Sequence, residues 1–240
     1  MSDPLPQSSA VCIEHADGLV WLGEHAPAPH TSIVTSLPDV SELSLGFEAW
    51  QAWFTDAAER VLRWLPEGSV GIFYQSDIVH AGVWVDKAYL VLRAAQAAGT
   101  PLVWHKIVCR MQPGEARFGR ASYSHLLCFR RGALPAQRHA YPDVLPSAGE
   151  KTWTRGMGTA ACELACRYLR QDTLTSRVLD PFCGHGSVLA VARRMGFDVL
   201  GIELNKKRCR LARSLVARAD AAPLTGSGST PTRSPESEPA

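Results

Sequence analysis

The sequence predicts an α/β protein with a mostly parallel sheet and helices on both faces. Short apolar segments of strand type alternate with longer segments of helical periodicity, which is the pattern that parallel strands joined by crossover helices produce. One pair of strands, 102–109 and 123–129, has no helix between its members and predicts an antiparallel hairpin at the sheet edge. The other predicted strands are 11–14, 31–36, 69–74, 177–181 and 199–204.

Helical periodicity marks the segments between these strands. From Phe47 to Leu65 the apolar residues recur every three or four positions, which predicts an amphipathic helix that ends before Pro66. An Ala- and Leu-rich helix is predicted over 85–98, where Gly99 terminates it. The remaining predicted helices are 158–169, 188–195 and 206–219, the last of them rich in basic residues.

Length and composition favour one globular domain in a reducing compartment. A chain of 240 residues with 46% hydrophobic and 20% charged residues can bury a full core as one domain. Residues 1–10 are predicted to be a flexible leader without signal-peptide features, and the tail 221–240, rich in Thr, Gly, Ser and Pro, to be disordered. No apolar run approaches the roughly 20 residues that span a bilayer, and the seven cysteines are scattered, so a cytoplasmic location is expected.

Positive charge is concentrated in one stretch of the chain, although the net charge is only +2. Seven basic residues and one acid lie within 106–138. Such a local excess attracts phosphate groups without a high overall isoelectric point. The loop 110–122 adds an aromatic ring, Phe118, so that Arg117 and Arg120 could bind a nucleic acid backbone while the ring stacks on a base. A solvated charged loop is the alternative.

The most specific motif is Asp180-Pro-Phe-Cys-Gly-His-Gly-Ser187, which lies between a predicted strand and a predicted helix. Its two glycines allow a ligand to approach the backbone closely, and α/β proteins bind ligands at the carboxyl ends of their strands. The next strand ends in Glu203, which can accept hydrogen bonds from both hydroxyls of a ribose. The sequence therefore predicts a nucleoside cleft, although it lacks the full Gly-x-Gly-x-x-Gly pattern and any P-loop.

This motif resembles motif I of the S-adenosylmethionine-dependent methyltransferases that modify exocyclic amines of nucleic acid bases, and Glu203 matches their acidic motif II. Motif I follows the catalytic motif in this chain, as it does in the permuted β class of these amino-methyltransferases. The resemblance implies S-adenosyl-L-methionine as the cofactor and a single Rossmann-like methyltransferase domain with a seven-stranded sheet and a circularly permuted motif order. Domain 11–220 would comprise a catalytic half 11–131, a connector 132–150 and a cofactor half 151–220. The implied cofactor-binding residues are Asp17, Asp180, Phe182, Gly184, Gly186, Ser187 and Glu203.

The family's catalytic motif is expected at Thr35-Ser-Leu-Pro-Asp39, after the second predicted strand. By the resemblance, Ser36 would accept a hydrogen bond from the target amine, and Pro38 would hold the turn so that a backbone carbonyl points at the same amine. The sequence departs from the family pattern at Leu37, where the family has proline, and at Asp39, where it has an aromatic ring. Asp39 could remove a proton from the acceptor or orient it, could bond a base edge, or could simply cap a helix or turn.

The missing ring leaves the stacking partner of a target base open. A ring contributes about 1–3 kcal/mol per stacked base. The candidate rings, each of which could instead belong to the core, are Trp84, Trp153, Tyr74 and Phe118. Polar residues after strand 69–74, among them His80, could line the acceptor pocket because they follow a strand end. The predicted substrate-binding residues are Gln75, Asp77, Arg117, Arg120 and Trp153.

The acceptor is predicted to be a base in RNA, in tRNA or rRNA. DNA enzymes of the permuted class that read a sequence usually carry a separate recognition region, and the connector 132–150 is too short for one. RNA recognised by shape is therefore expected, with a partner subunit or a second copy of the chain as a further possibility. Two alternatives stay open: a DNA methyltransferase acting on adenine N6 or cytosine N4, and a cofactor-binding subunit without catalytic activity. Transfer would be direct and in line, without a metal or a covalent enzyme intermediate.

Overall fold

The structure, a computed structural model, describes residues 10–116, 118–154 and 156–221. The predicted disordered tail beyond residue 221, the leader up to residue 9, and Arg117 lie outside the described residues, so those predictions stay predictions. The predicted division of the domain into halves also stays a prediction. In the described part, no helix is long and apolar enough to cross a membrane.

The described chain contains ten strands, six α-helices and one 3₁₀ turn, the turn at Val40–Glu42. The strands are β1 Val11–His15, β2 Thr31–Thr35, β3 Val70–Gln75, β4 Ile78–His80, β5 Val83–Val85, β6 Leu102–Cys109, β7 Tyr123–Arg130, β8 Val144–Leu145, β9 Arg177–Asp180 and β10 Asp198–Glu203. The helices are α1 Gly18–Glu24, α2 Phe47–Trp64, α3 Lys87–Ala98, α4 Thr159–Asp172, α5 Ser187–Arg194 and α6 Lys206–Ala221.

The sheet confirms the predicted fold class. Eight of the described strands form one sheet in the order β1-β10-β9-β2-β3-β7-β6-β8. The first five strands of this order are mutually parallel. Strand β7 runs antiparallel to both β3 and β6, which gives the predicted hairpin. The short strand β8, within the predicted connector, pairs with β6 and extends the expected seven strands to eight.

The pairing of β2 with β9 decides where the two predicted motifs lie. These strands are parallel and in register, with Ile33 opposite Leu179. Their carboxyl ends therefore reach the same edge of the sheet side by side. The segment after β2 contains the predicted catalytic residues, and the segment after β9 contains the glycine-rich motif. Residues that are about 145 positions apart in the chain thus meet in one place.

Helices cover both faces of the sheet and bury alternate residues of its strands. Ile33 packs among the residues of α1, α2 and α3, whereas its neighbour Val34 packs among those of α4, α5 and α6. Both side chains are fully buried. This alternation follows from the two-residue period of a strand. One apolar layer therefore lies on each face of the sheet, beneath the loops at its edge.

Besides β8 and the 3₁₀ turn, helix α1 and a small hairpin were not predicted from the sequence. Helix α1 follows β1 directly, and Asp17 caps it by accepting hydrogen bonds from the Leu19 and Val20 amides. The small hairpin of β4 and β5 occupies the start of the predicted helix 85–98, which begins only at Lys87. Asp86 sets this boundary because its side chain accepts a hydrogen bond from the Tyr89 amide.

Candidate active site

A cavity of about 370 Å³ opens at the carboxyl edge of the parallel strands. Its volume lies within the range of roughly 300–1,000 Å³ that small-molecule sites occupy. Both predicted halves of the chain contribute to its walls, including Ser36 from the segment after β2 and Glu203 from the end of β10. From the predicted set, the lining residues are Asp17, Ser36, Pro38, Trp153, Asp180, Phe182, Gly184, Ser187 and Glu203.

The glycine-rich turn between β9 and α5 forms one wall of this cavity. Gly184 and Gly186 have positive φ angles of 55° and 80°, a conformation that favours glycine. A Cβ atom at Gly184 would lie 3.2 Å from the Trp153 ring. Gly186 does not line the cavity; a Cβ atom there would lie 3.1 Å from Ala212 Cβ, so this glycine allows α5 to pack against α6.

Glu203 connects the end of β10 to the glycine-rich turn. Its Oε2 accepts a hydrogen bond from the Gly184 amide at 2.9 Å, and its Oε1 accepts one from the Asn205 amide at 2.7 Å. Burial raises the pKa of the carboxyl, although these hydrogen bonds and the Arg208 guanidinium oppose the shift. Each oxygen retains a second lone pair. Glu203 can therefore still accept hydrogen bonds from hydroxyl groups of a ligand in the cavity, as a nucleoside requires.

Asp180 ties the two motifs together beneath the cavity. Its Oδ1 accepts hydrogen bonds from Thr35 Oγ1 at 2.7 Å and from the Phe182 amide at 3.1 Å. Burial raises the pKa of this carboxyl to about 7, and the nearby Glu203 carboxylate adds to the shift, while the two hydrogen bonds oppose it. Asp180 therefore fixes β2 against the start of the glycine-rich turn.

The buried Asp180 carboxyl makes stability depend on pH. Its folded pKa of about 7 exceeds the ordinary value of 3.8, so the unfolded chain ionises first as the pH rises. Stability is therefore highest at low pH with respect to this group and is lost between these two values. Asp180→Asn keeps an acceptor oxygen but does not titrate. We expect the melting temperature of the variant to fall less than that of the wild type between about pH 4 and pH 7.

Thermal unfolding of both proteins across this pH range measures the difference. Asp56→Asn, at an exposed acid of α2, is the matched control and should have the wild-type slope. Equal slopes for the wild type and Asp180→Asn would contradict a raised pKa at Asp180.

The contact between α1 and the glycine-rich turn was missed in the sequence. Asp17 lines the cavity but also caps α1, and the next residue is Gly18. A Cβ atom at Gly18 would lie only 2.0 Å from the carbonyl oxygen of Pro181. The start of α1 therefore packs directly on motif residues, which only glycine permits.

The predicted catalytic segment lies beside the cavity, with one exception. Ser36, Leu37 and Pro38 line the cavity, and Leu37 is buried. The Pro38 carbonyl oxygen accepts a hydrogen bond from the Trp50 indole at 3.1 Å, so this carbonyl is directed away from an acceptor. Asp39 is absent from the lining and instead caps the 3₁₀ turn. The capping alternative is thus present in the structure, whereas a role for Asp39 as a base stays a prediction.

Among the described members of the predicted substrate-binding set, Trp153 reaches the cavity. Its ring stacks on His185, with 4.4 Å between centroids, and the Arg208 guanidinium lies 5.3 Å from the Trp153 ring. Thr152 next to it is hydrogen-bonded to Ser187 of the glycine-rich motif. Arg208 and Trp53 also line the cavity and were not predicted, because neither belongs to a recognisable motif.

Three other predicted substrate-binding residues, Gln75, Asp77 and Arg120, lie outside the cavity lining. Gln75 and Asp77 are buried and do not line the cavity, contrary to the expectation that residues after β3 face it. The reason is the antiparallel strand β7, which places His125 opposite Gln75 and within 3.0 Å of Asp77 Oδ2. Arg120 is exposed on the loop 110–122, outside the cavity lining.

The candidate rings also divide by position. Tyr74 is a core residue, whereas Phe118 is fully exposed and Trp84 is half-exposed. His80 stacks on Phe47 at 3.9 Å between centroids and lies outside the main cavity. Trp153 is therefore the candidate that lies at the cavity.

Comparisons with known proteins agree with this architecture. Residues 170–214 match the family model described as DNA methylase. No curated protein matches the sequence. TTHA0409 of Thermus thermophilus, a DNA modification methylase candidate, is 20% identical with a TM-score of 0.70, and the match covers 88% of this chain and 95% of that one. Another structure of TTHA0409, at 18% identity, is a complex with S-adenosyl-L-methionine.

Two further solved structures share the fold. The PvuII DNA methyltransferase, which is specific for cytosine N4, is 15% identical with a TM-score of 0.67, covering 89% of this chain and 93% of that one. The M1.HpyAVI complex with S-adenosylmethionine is 13% identical with a TM-score of 0.58, covering 86% and 98%. At these identities the likeness concerns the fold.

The fold and the segment 170–214 are similar to those of DNA methyltransferases, in agreement with the resemblance seen in the sequence. Two of the similar structures are complexes with S-adenosyl-L-methionine, the cofactor that the resemblance implies. The cavity fits this cofactor, because Gly184 leaves the wall free of a side chain and Glu203 offers acceptor oxygens beside it.

Proposed function

We propose that this protein methylates an exocyclic amino group of a DNA base, adenine N6 or cytosine N4. The observation that carries the proposal is the meeting of Ser36–Pro38 with Asp180–Ser187 and Glu203 around one cavity. Ser36–Pro38 would offer polar groups for the amine of the target base, and Asp180–Ser187 with Glu203 would offer the nucleoside site for the cofactor. The hydrogen bond from Thr35 to Asp180 joins the two sets directly.

The residues of the site need only bind and orient the reactants. S-adenosylmethionine supplies a methyl group on a sulfonium, which is already activated for displacement by an amine. Ser36 would accept a hydrogen bond from the target amine, and buried Leu37 would keep the segment in place. Glu203 and Gly184 would hold the nucleoside end of the cofactor. Positioning of two reactants in this way accounts for a large share of many enzymatic rate enhancements.

DNA is favoured over RNA, in contrast to the sequence-based expectation. The matched family is described as DNA methylase, and the similar structures are named as DNA enzymes or candidates. The lack of a separate recognition region does not argue against DNA, because this chain covers 95% and 93% of two structures that are named in this way. The exposed Arg120 and Phe118 on the loop 110–122 could contact a nucleic acid backbone and an unstacked base.

Methyl transfer to defined nucleic acids tests this function. Purified protein with S-adenosylmethionine is incubated with unmethylated DNA or with unmodified tRNA and rRNA, and the digested nucleosides are analysed by mass spectrometry. We expect N6-methyldeoxyadenosine or N4-methyldeoxycytidine in DNA. Ser36→Ala should lower the rate about 10- to 100-fold, the scale of one hydrogen bond to a charged or reacting group, without weakening cofactor binding.

The other outcomes separate the alternatives. Methylated nucleosides in RNA alone would overturn the assignment to DNA. Binding of S-adenosylhomocysteine by a protein that methylates neither nucleic acid would favour the non-catalytic cofactor-binding subunit.

A further inference from the structure

Lys87, the first residue of α3, places a positive charge in the interior. Its side chain is only 4% exposed, and its Nζ donates a hydrogen bond to Asp39 Oδ2 at 2.8 Å. The ammonium also lies 5.5 Å from the centre of the Trp50 ring and 5.9 Å from that of Phe54. Lysine is rarely buried unless it is paired, because the charge loses its hydration. The ion pair with Asp39 therefore fixes the direction of both side chains.

The backbone of Lys87 is hydrogen-bonded, as its side chain is. Its amide donates a hydrogen bond to Asp77 Oδ1 at 2.9 Å. The Asp77 side chain is completely buried, and its Oδ2 accepts hydrogen bonds from Trp84 Nε1 at 3.2 Å and His125 Nε2 at 3.0 Å. Burial alone would raise the pKa of Asp77, but these hydrogen bonds hold it below its usual value. An ionised Asp77 thus joins the start of α3 to β7.

Asp39 connects Lys87 to the predicted catalytic segment through its hydrogen bonds. Its Oδ1 accepts a hydrogen bond from the Ser41 amide at 3.4 Å, and its own amide donates to Glu42 Oε2 at 3.2 Å. One residue earlier, the Pro38 carbonyl oxygen is held by Trp50, whose ring also lies beneath the Lys87 ammonium. The segment is therefore held from the side of α2 and α3, while Ser36 lines the cavity.

We propose that Lys87 is a positioning residue for methyl transfer: through Asp39 it holds the Ser36–Asp39 segment at the cavity, and Asp39 orients this segment instead of acting as a base. The proposal rests on the proposed function, because a positioning role presupposes methyl transfer. The contacts of Asp39 do not depend on which substrate is methylated. Both of its carboxylate oxygens have hydrogen-bond partners, and Asp39 is absent from the cavity lining.

Hydrogen exchange tests the holding role without any substrate. Lys87→Met keeps the length of the side chain and removes the charge. We expect faster amide exchange over residues 37–43, with the affinity for S-adenosylhomocysteine changed by less than about threefold, the scatter of a remote substitution. Lys87→Gln retains a hydrogen-bond donor and should give intermediate exchange. Arg93→Met, on the exposed face of the same helix, is the matched control and should leave exchange over 37–43 unchanged.

Kinetics with the nucleic acid that the protein methylates distinguish a positioning role of Asp39 from a role as general base. A positioning Asp39 can be replaced by Asn, which caps helices equally well and can still accept from Lys87. We expect Asp39→Asn to lower kcat/KM less than about 10-fold with an unchanged pH profile, since general bases contribute about 10²–10⁴-fold. Lys87→Met should lower kcat about 10- to 100-fold, the scale expected when the reacting groups are misplaced. In the double variant, Asp39→Asn should lower kcat little further.

The results separate this proposal from the proposed function. Wild-type exchange over 37–43 in a folded Lys87→Met protein would overturn the positioning role. A loss of about 100-fold or more in Asp39→Asn, with loss of the acidic limb of the pH profile, would make Asp39 the base and also overturn it. Accelerated exchange in a protein whose wild type methylates no nucleic acid would support the holding role while the proposed function fails.

Discussion

Gly18→Ala is expected to lower the free energy of unfolding and to weaken cofactor binding by about tenfold or more. The added Cβ atom would lie 2.0 Å from the Pro181 carbonyl oxygen and 3.3 Å from the Phe182 ring. The first distance is far below any ordinary contact, and the opposing atom belongs to the backbone. Strand β1 is paired along its length with β10, so α1 cannot move away cheaply. Overpacking of this kind costs about 1–3 kcal/mol, occasionally more.

Urea unfolding and calorimetry with S-adenosylhomocysteine measure the two effects. Gly23→Ala lies in the same helix, where a Cβ atom would meet only the Arg60 side chain at 3.7 Å, an ordinary contact distance. Alanine is the better helix former by about 0.5–1 kcal/mol. The control should therefore equal or exceed the wild type in stability. Wild-type stability and binding in Gly18→Ala would show that α1 does not rest on the glycine-rich turn.

Glu203→Ala is expected to weaken binding of S-adenosylhomocysteine about 100-fold or more. The substitution removes the acceptor of the Gly184 and Asn205 amides and also the oxygens proposed to bind the ribose hydroxyls. A hydrogen bond to a charged group is worth about 1.5–3 kcal/mol, and two such losses exceed the roughly 2.7 kcal/mol that corresponds to 100-fold. Glu203→Gln keeps one acceptor oxygen and should lie between the wild type and Glu203→Ala.

Isothermal titration calorimetry checks this order of affinities. Asp198→Ala removes an acid from the opposite end of the same strand, where its side chain bonds the Ala10 amide and lies 3.8 Å from Arg177. This control should bind the ligand as the wild type does. Equal affinities of Glu203→Ala and Asp198→Ala for S-adenosylhomocysteine would show that Glu203 does not bind the cofactor.

The glycine-rich end of the cavity could be predicted because its signals are local. Asp180–Ser187 is a contiguous segment that has to leave a strand, turn tightly and begin a helix, and glycine at 184 and 186 meets this need wherever the turn is placed. Glu203 ends the next strand, so adjacency of the two strands brings it to Gly184. The contact of Gly18 with Pro181 could not be predicted, because a single glycine in the sequence does not indicate which backbone segment will pack against it.

The position of Ser36 and Pro38 at the cavity could be predicted, but the surroundings of the residues after β3 could not. Placing Ser36 at the carboxyl edge required only that β2 be a parallel strand. Gln75 and Asp77 were expected at the same edge by the same rule, yet β7 runs antiparallel beside β3 and encloses them. The rule that strand ends face the cleft holds for a parallel block, and β3 is the last strand of that block.

The sequence by itself determined the α/β class, the order of the motifs and the glycine-rich wall of the cavity, because each depends on periodicity or on contiguous residues. The tertiary structure alone showed the contacts of Asp39, which caps the 3₁₀ turn and pairs with Lys87. A carboxylate after a strand can be a base, a cap or half of an ion pair, and its partners select among these. Lys87 lies 48 residues away from Asp39 in the chain, and only the packing of α3 against α2 brings its charge into contact.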